Sequence, residues 1–432
     1  MDYQQSRAYV SDADRYAGGA LDLTNIKELM KRLGNPQDQL KYVHVAGTNG
    51  KGSVIAYLYT TLSEAGYRVG RYISPSVYSY REKMEVAGRS VSREQFAGYV
   101  TRVAAAIEEM TSEGLAHPTP FEIETAVAFL FFAEENCDLV ILEVGMGGNL
   151  DATNIIKNTI LAVLVPISMD HQSFLGNTLS EIAEKKAGII KPGCSVVTAG
   201  QQPETMAVIK NVCAQNNADL TEADLREAKA VKEDFAGQIL EYRGENFELS
   251  LAGSYQTENA ALALEALHVL EKKGYPTTVL QRKKGLKDTR WNGRLTIIHR
   301  DPLFIVDGAH NPAAADMLED SVRKYFKGRK LFFIMGVFRD KDYPYIIRKL
   351  CPYAQQIVTV ETPDNPRALP AEELAEAIKP CNPNVQAAGS IEDAVNKVFD
   401  MAGCDDVILS FGSLSFIGQI TAIVKTREEK NS

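Results

Sequence analysis

The stretch Val43-His44-Val45-Ala46-Gly47-Thr48-Asn49-Gly50-Lys51-Gly52-Ser53 decides how this chain is read. Its apolar start reads as a strand, its middle alternates glycine with small polar residues, and from Ser53 the pattern is helical. This is the layout of a phosphate-binding loop. Glycines let backbone N–H groups turn inward as an anion nest, and the helix N-terminus adds partial positive charge. Lys51 sets a full charge where outer phosphates would lie. The loop is a variant of the general G-x-x-x-x-G-K-[ST] pattern, because Gly52 separates Lys51 from Ser53. A glycine turn that binds nothing is the plain alternative.

At 432 residues the chain is long for one core, so two or three domains are expected. Lysine and arginine total 47 against 56 acidic residues, a net charge of −9, which argues against a nucleic-acid partner held by bulk charge. A polyanionic substrate must then be held by a local basic pocket. The first residues, MDYQQSRAYVSDADRYAGG, lack the apolar core of a signal peptide. The most apolar run, Ala126 to Ala133, is too short to span a bilayer. A cytoplasmic monomer without a membrane partner is expected. Cys137, Cys194, Cys213, Cys351, Cys381 and Cys404 show no C-x-x-C spacing and read as reduced thiols rather than a zinc or disulfide frame.

Short β-branched runs at 43–46, 138–142, 160–165 and 195–198 are spaced by helical segments at 54–66, 121–136 and 203–215. Such alternation favours a parallel sheet covered by helices on both faces. Residues 217–251 break the rhythm and read as a small antiparallel addition turning at Gly244-Glu245-Asn246. A helix from Thr257 to Lys272 follows, and the charged stretch 281–290 reads as a connector. From Arg294 the alternation restarts, with strands near 295–299, 303–307, 330–336, 355–360 and 406–410. The tail from Lys425 to Ser432 reads as frayed. The expectation is an α/β protein. Residues 1–293 form a P-loop mononucleotide-binding domain with a mostly parallel sheet, and 294–432 a smaller Rossmann-like α/β domain.

Glu143 ends the apolar strand that starts at Asp138, and ligands of α/β sheets collect at the carboxyl ends of strands. A carboxylate there, beside a P-loop, can hold a hard divalent cation through oxygen. A solvated loop carboxylate is the alternative. His171 follows the strand Leu161 to Ile167; a lone histidine is more often structural than a ligand.

Several motifs stand in order along the chain: Leu142-Glu143-Val144-Gly145-Met146-Gly147-Gly148-Asn149-Leu150-Asp151-Ala152-Thr153-Asn154, then Met169-Asp170-His171 with Phe174-Leu175-Gly176, then Lys186-Ala187-Gly188-Ile189 with Lys191-Pro192-Gly193. Beyond them come Gln256 and Asn259, Trp291 with Gly293-Arg294, Asp307-Gly308-Ala309-His310-Asn311-Pro312, and Gly336 with Arg339-Asp340-Lys341-Asp342. Together with the loop, this set resembles the folylpolyglutamate synthase and dihydrofolate synthase family of the Mur ligase superfamily.

The resemblance implies ATP as the nucleotide, held by Gly47, Thr48, Asn49, Gly50, Lys51, Gly52 and Ser53, with Asn259 and Arg294 at its base end and phosphates. Asp307 and His310 would reach the γ-phosphate across a cleft; a helix-capping turn is the other reading of their motif. It implies Mg²⁺ held by Ser74, Glu143, His171 and Lys186, the last as a carbamate, although Ser53 competes with Ser74 for the first metal. Lys51, His171, Lys186 and His310 are the implied catalytic set. Ser74 to Lys83 resembles the loop over the pterin, which implicates Tyr80 and Arg81, with Asp151, in binding the acceptor. Two departures from the family pattern, Asn149 where arginine is common and Ser76 where a bulkier residue is common, leave folate and dihydropteroate both open as acceptors.

The expected activity is ATP-dependent addition of L-glutamate to a folate carboxylate through an acyl phosphate. Dihydropteroate as acceptor, alone or as a second activity, is one alternative. A P-loop kinase or ATPase without an amide product is another.

Overall fold

Strand β1 (Tyr42–Ala46) is buried along its whole length. Tyr42 packs into the core on one side of the sheet, and Val43 and Val45 into the core on the other. In β5 (Leu139–Glu143), Leu139 and Ile141 likewise face one core while Val140 and Leu142 face the other. Burial on both faces is why these strands read as continuous apolar runs rather than alternating ones. The computed structural model describes residues 1–16, 22–235, 237–363 and 365–431.

The remaining strands of the first sheet are β2 (Val69–Tyr72), β3 (Met84–Val86), β4 (Arg89–Ser90), β6 (Thr159–Leu164), β7 (Ser195–Thr198) and β8 (Asp219–Glu222). Their order is β4-β3-β2-β5-β1-β6-β7-β8, and only β3 runs against the others, pairing antiparallel with both β2 and β4. The chain leaves β1 toward β2 on one side and later crosses to β6 on the other. The carboxyl ends of β1, β5 and β6 therefore flank the switch point where such sheets bind ligands.

Residues 217–251 differ in part from expectation. Their first strand, β8, joins the large sheet in parallel with β7. The antiparallel addition has three strands, β9 (Lys229–Asp234), β10 (Gly237–Tyr242) and β11 (Glu245–Leu249). Its hairpin turns at Arg243 and Gly244, with φ of 50° and 77°, the pair of positive angles a tight two-residue hairpin uses. The stretch expected as a connector contains a helix, Val279–Asp288, capped by Thr278. It buries only Gly285 and Leu286 and so has almost no apolar period to read. The helices Tyr3–Asp12, Thr24–Arg32 and Arg93–Ser112 also lie outside the sequence expectation. The tail is helical through Asn431 rather than frayed. No helix among the described residues is long and apolar enough to cross a membrane.

The second sheet contains β12 (Thr296–His299), β13 (Leu303–Val306), β14 (Leu331–Met335), β15 (Gln356–Thr359), β16 (Val385–Ala387) and β17 (Val407–Phe411). Its order is β12-β13-β17-β14-β15-β16, with only β12 antiparallel, and apolar clusters cover both faces. The carboxyl ends of β13, β14 and β17 give rise to the loops carrying Asp307, Lys341 and Leu414.

Candidate active site

Between β1 and the helix Lys51–Glu64, Gly47 and Gly50 have φ of 140° and 98°. A side chain at Gly47 would collide with Val165, its Cβ 2.2 Å from Cγ2, and one at Gly50 would fall 2.5 Å from Asn259 Oδ1. The loop is therefore closed in by Val165, just past the end of β6, on one side and the helix Gln256–Lys272 on the other. Thr48 fastens it further: its Oγ1 donates to the Ser168 carbonyl and accepts from the Ser168 N–H. Lys51 Nζ donates to the carbonyls of Thr48 and Gly47 at 3.2 and 3.4 Å and lies 4.0 Å from Glu143 Oε1. Gln256 Nε2 donates to Ser53 Oγ at 3.2 Å, and Trp291 lies where a Gly52 side chain would be.

Glu143 is buried at the end of β5, and its Oε2 accepts from the Ser74 N–H at 3.1 Å. Burial raises its pKa, and Lys51 opposes that rise. Lys186, on the last turn of the helix Leu179–Ala187, is only 5% exposed, and its Nζ donates to the Gly47 carbonyl at 2.7 Å. Burial, reinforced by Lys51, brings its pKa down to about 7, so near neutrality much of the amine is uncharged. His171 has φ of 48° and lies 3.8 Å from Asp170. Burial lowers its pKa, and Asp170 pulls the other way.

The loop 145–149 packs directly on the helix end that carries Lys186. A Cβ on Gly148 would lie 2.7 Å from the Lys185 carbonyl oxygen and 2.9 Å from that of Lys186. Gly148→Ala is therefore expected to push this helix end away, costing about 1–3 kcal/mol in a thermal or urea melt and reducing turnover. Unchanged stability with full activity would show that the contact constrains nothing.

The second domain supplies the opposite wall. Arg294, Asp307, Gly308 and His310 line the same cavity as the P-loop, Glu143, His171 and Lys186. Asp307 is buried and accepts from the Leu295 and Ala309 N–H groups at 2.9 and 2.8 Å, so it shapes the loop from within. Burial raises its pKa, and Arg294 opposes the rise. Asn311, not Asp307, caps the next helix, accepting from Ala314 N–H. His310 Nδ1 lies 2.7 Å from the Gly308 carbonyl, which can only accept, so Nδ1 carries the hydrogen. Burial, with Lys341 adding to it, brings its pKa down to about 4.

Three expected acceptor residues lie outside this cavity. Tyr80 has Arg7 over its ring at 3.4 Å and Lys83 at 4.5 Å, and its hydroxyl donates to Glu124. Arg81 donates to the Val91 carbonyl at 3.0 Å. Asp151 is buried and accepts from the N–H groups of Met146 and Thr153, while Thr153 Oγ1 meets His44 at 2.8 Å. Other residues emerge only in three dimensions. Asp170 accepts from Lys341 Nζ at 3.1 Å and from Asn311 Nδ2 at 3.3 Å, and Asn311 exchanges amide hydrogen bonds with Asn49 at 3.2 Å. All four stand in quoted motifs, but no local pattern pairs them.

Comparison with known proteins agrees with this architecture. The Mur ligase middle domain matches residues 45–267, and the Mur ligase, glutamate ligase domain matches 293–414. The chain is 34% identical over 431 residues to the dihydrofolate synthase/folylpolyglutamate synthase of Bacillus subtilis, covering 98% of this chain and 99% of that one. The chain belongs to the folylpolyglutamate synthase/dihydrofolate synthase family of Mur ligases. As a member of that family it is an ATP-dependent ligase. A Mycobacterium tuberculosis folylpolyglutamate synthase solved with ADP and AMPPCP superposes with a TM-score of 0.87 at 31% identity, covering 98% of this chain and 99% of that one. E. coli FolC in complex with DHPP and ADP gives a TM-score of 0.86 at 28% identity, covering 98% of each chain. In this Mur ligase the two matched domains meet around one cavity, with the P-loop on one wall and His310 on the other.

Proposed function

We propose that this ligase binds ATP across its two domains and joins L-glutamate to the carboxylate of a folate through an acyl phosphate. The observation that carries the reading is the single cavity in which Lys51, Glu143 and Lys186 face Arg294 and His310. The P-loop N–H groups and Lys51 would hold the β- and γ-phosphates, and Asn259 and Arg294 the rest of the nucleotide.

The donor set suits Mg²⁺. Glu143 and the hydroxyls of Ser53 and Ser74 offer hard oxygens on one cavity, and no group of three or more His, Cys, Asp or Glu among the described residues forms a complete protein cage. Mg²⁺ prefers such a partial shell, completed by phosphate oxygens and water. A second ion would call on His171 and on Lys186 as a carbamate, since a bare amine is a poor partner for this cation. When bound, Mg²⁺ supplies positive charge against the phosphates.

The folate carboxylate attacks the γ-phosphorus, the bond to the β-phosphate oxygen breaks, and ADP leaves. Lys51 stabilises the charge on the transferring group. His310 donates its Nδ1–H to Gly308, so it reaches a phosphate as a donor only through a protonated Nε2. A bound polyanion would shift its pKa upward, toward that state. The glutamate amine then attacks the acyl carbonyl and phosphate departs. Enclosure by two domains keeps water from the acyl phosphate.

His310→Ala is expected to lower kcat by about 10²-fold, with little change in KM for ATP, because its contact strengthens as charge moves to the γ-phosphoryl group. A rise confined to KM for glutamate would move His310 to the acceptor site. For the reaction as a whole, the protein is incubated with ATP, Mg²⁺ and glutamate, with tetrahydrofolate and dihydropteroate offered separately. Mass spectrometry should show glutamyl addition to at least one of them. ADP formation without an amide product would support a kinase or ATPase instead.

A further inference from the structure

Asp170 and Lys341 form an ion pair across the domain boundary, at 3.1 Å, with side chains only 12% and 9% exposed. Lys341 stands on a loop braced within its own domain. Arg339 pairs with Glu373 at 2.8 Å, Asp340 with Arg367 at 3.3 Å, and Asp342 caps the following helix. Lys341 therefore projects toward the first domain from a fixed base.

Asp170 is equally constrained. Its Oδ1 accepts from the His171 N–H at 2.9 Å and its Oδ2 from Asn311 Nδ2 at 3.3 Å. Asn311 also exchanges hydrogen bonds with Asn49 of the P-loop. The ion pair and the amide pair thus share Asn311, the residue that directly follows His310. Asp170, His171 and His310 line the cavity; Lys341 is not among its walls. A paired and nearly buried charge fixes one geometry more than it adds net stability, because desolvation offsets much of the Coulomb gain.

We propose that Lys341 is a positioning residue for phosphoryl transfer: by holding Asp170 it locks the second domain in the register that sets His310 opposite the P-loop. The inference rests on the ligase reading above. Lys341 acts through the geometry of the cleft and needs no contact with a substrate. Loss of its charge leaves nucleotide binding to the P-loop intact while the two walls of the cavity lose their alignment.

The test replaces Lys341 with methionine, which keeps the length and removes the charge, and with arginine, which keeps the charge. Lys341→Met should lower kcat by about 10²-fold, the effect of misplacing a reacting group, while KM for ATP stays within about threefold. Small-angle scattering with AMPPCP and Mg²⁺ should give a larger radius of gyration than for the unsubstituted protein. Lys341→Arg should restore compactness and much of the rate. Adding Asp170→Asn to Lys341→Met should cost less than the two single losses together, because both remove the same ion pair, although Asp170 also serves Asn311 and the His171 N–H. A melting curve close to that of the unsubstituted protein shows that each variant is folded.

The proposal is overturned if Lys341→Met keeps its kcat, or if it loses activity only through KM for glutamate or folate with compactness unchanged. Failure of the underlying reading looks different, since the unsubstituted protein would then make no glutamate-dependent ADP. The scattering comparison still decides the latch in that case: equal compaction of both proteins by AMPPCP overturns it.

Discussion

Lys51→Ala is expected to abolish turnover, with a loss of about 10³-fold or more, while the protein stays folded. The side chain ends at two backbone carbonyls and near Glu143, on the wall of the cavity, and supports no apolar core. Its removal should shift the melting temperature by only a few degrees. The catalytic effect is large because Lys51 supplies a full charge in a partly dry cavity, where a charge directed at a moving phosphoryl group counts for more than in water. The measurement is ADP formation by the purified variant at saturating ATP, beside a melting curve. Near-normal ADP formation would remove Lys51 from the phosphate site.

Lys186→Ala should lose nearly all activity, and Lys186→Arg should fail as well. Lys186 is buried and aimed at the Gly47 carbonyl, beside the Lys51 charge. An ammonium there would repel a bound Mg²⁺, whereas a carbamate would offer it oxygen. Arginine keeps its charge and cannot form the carbamate. A short added carboxylate such as formate should restore part of the activity of Lys186→Ala. The neutral amine is the form that takes up CO₂, and its fraction grows as pH rises through about 7. Activity at limiting bicarbonate should therefore rise across that range and flatten above it. Electron density in a crystal grown at neutral pH with Mg²⁺ gives the direct view. An unmodified ammonium with both metal sites filled would end this assignment.

What the sequence made legible follows from how local each signal is. The P-loop could be read because strand, glycines, lysine and helix start lie within residues 43–53 and dictate one backbone path. The parallel sheet could be read because strands buried on both faces are apolar throughout. The pair Asp170–Lys341 spans 171 positions and Asn49–Asn311 spans 262, so each becomes visible only when two domains face one another. Tyr80 shows the same dependence on distant chain. An aromatic between cations suggests a stacking platform, yet Arg7, far earlier in the chain, and Lys83 already lie over the ring. Asp151 lies in a motif that resembles a family signature, but its carboxylate is turned inward to its own loop.

The central claim is that ATP activates a carboxylate for attack by glutamate, and isotope transfer tests it most directly. The folate acceptor is labelled with heavy oxygen in its reacting carboxylate and turned over with ATP, Mg²⁺ and glutamate. If an acyl phosphate forms, one carboxylate oxygen leaves with the phosphoryl group, and mass spectrometry finds the label in the released phosphate in step with the amide product. Unlabelled phosphate accompanying ADP would mean that water or another acceptor takes the phosphoryl group, and would contradict the account.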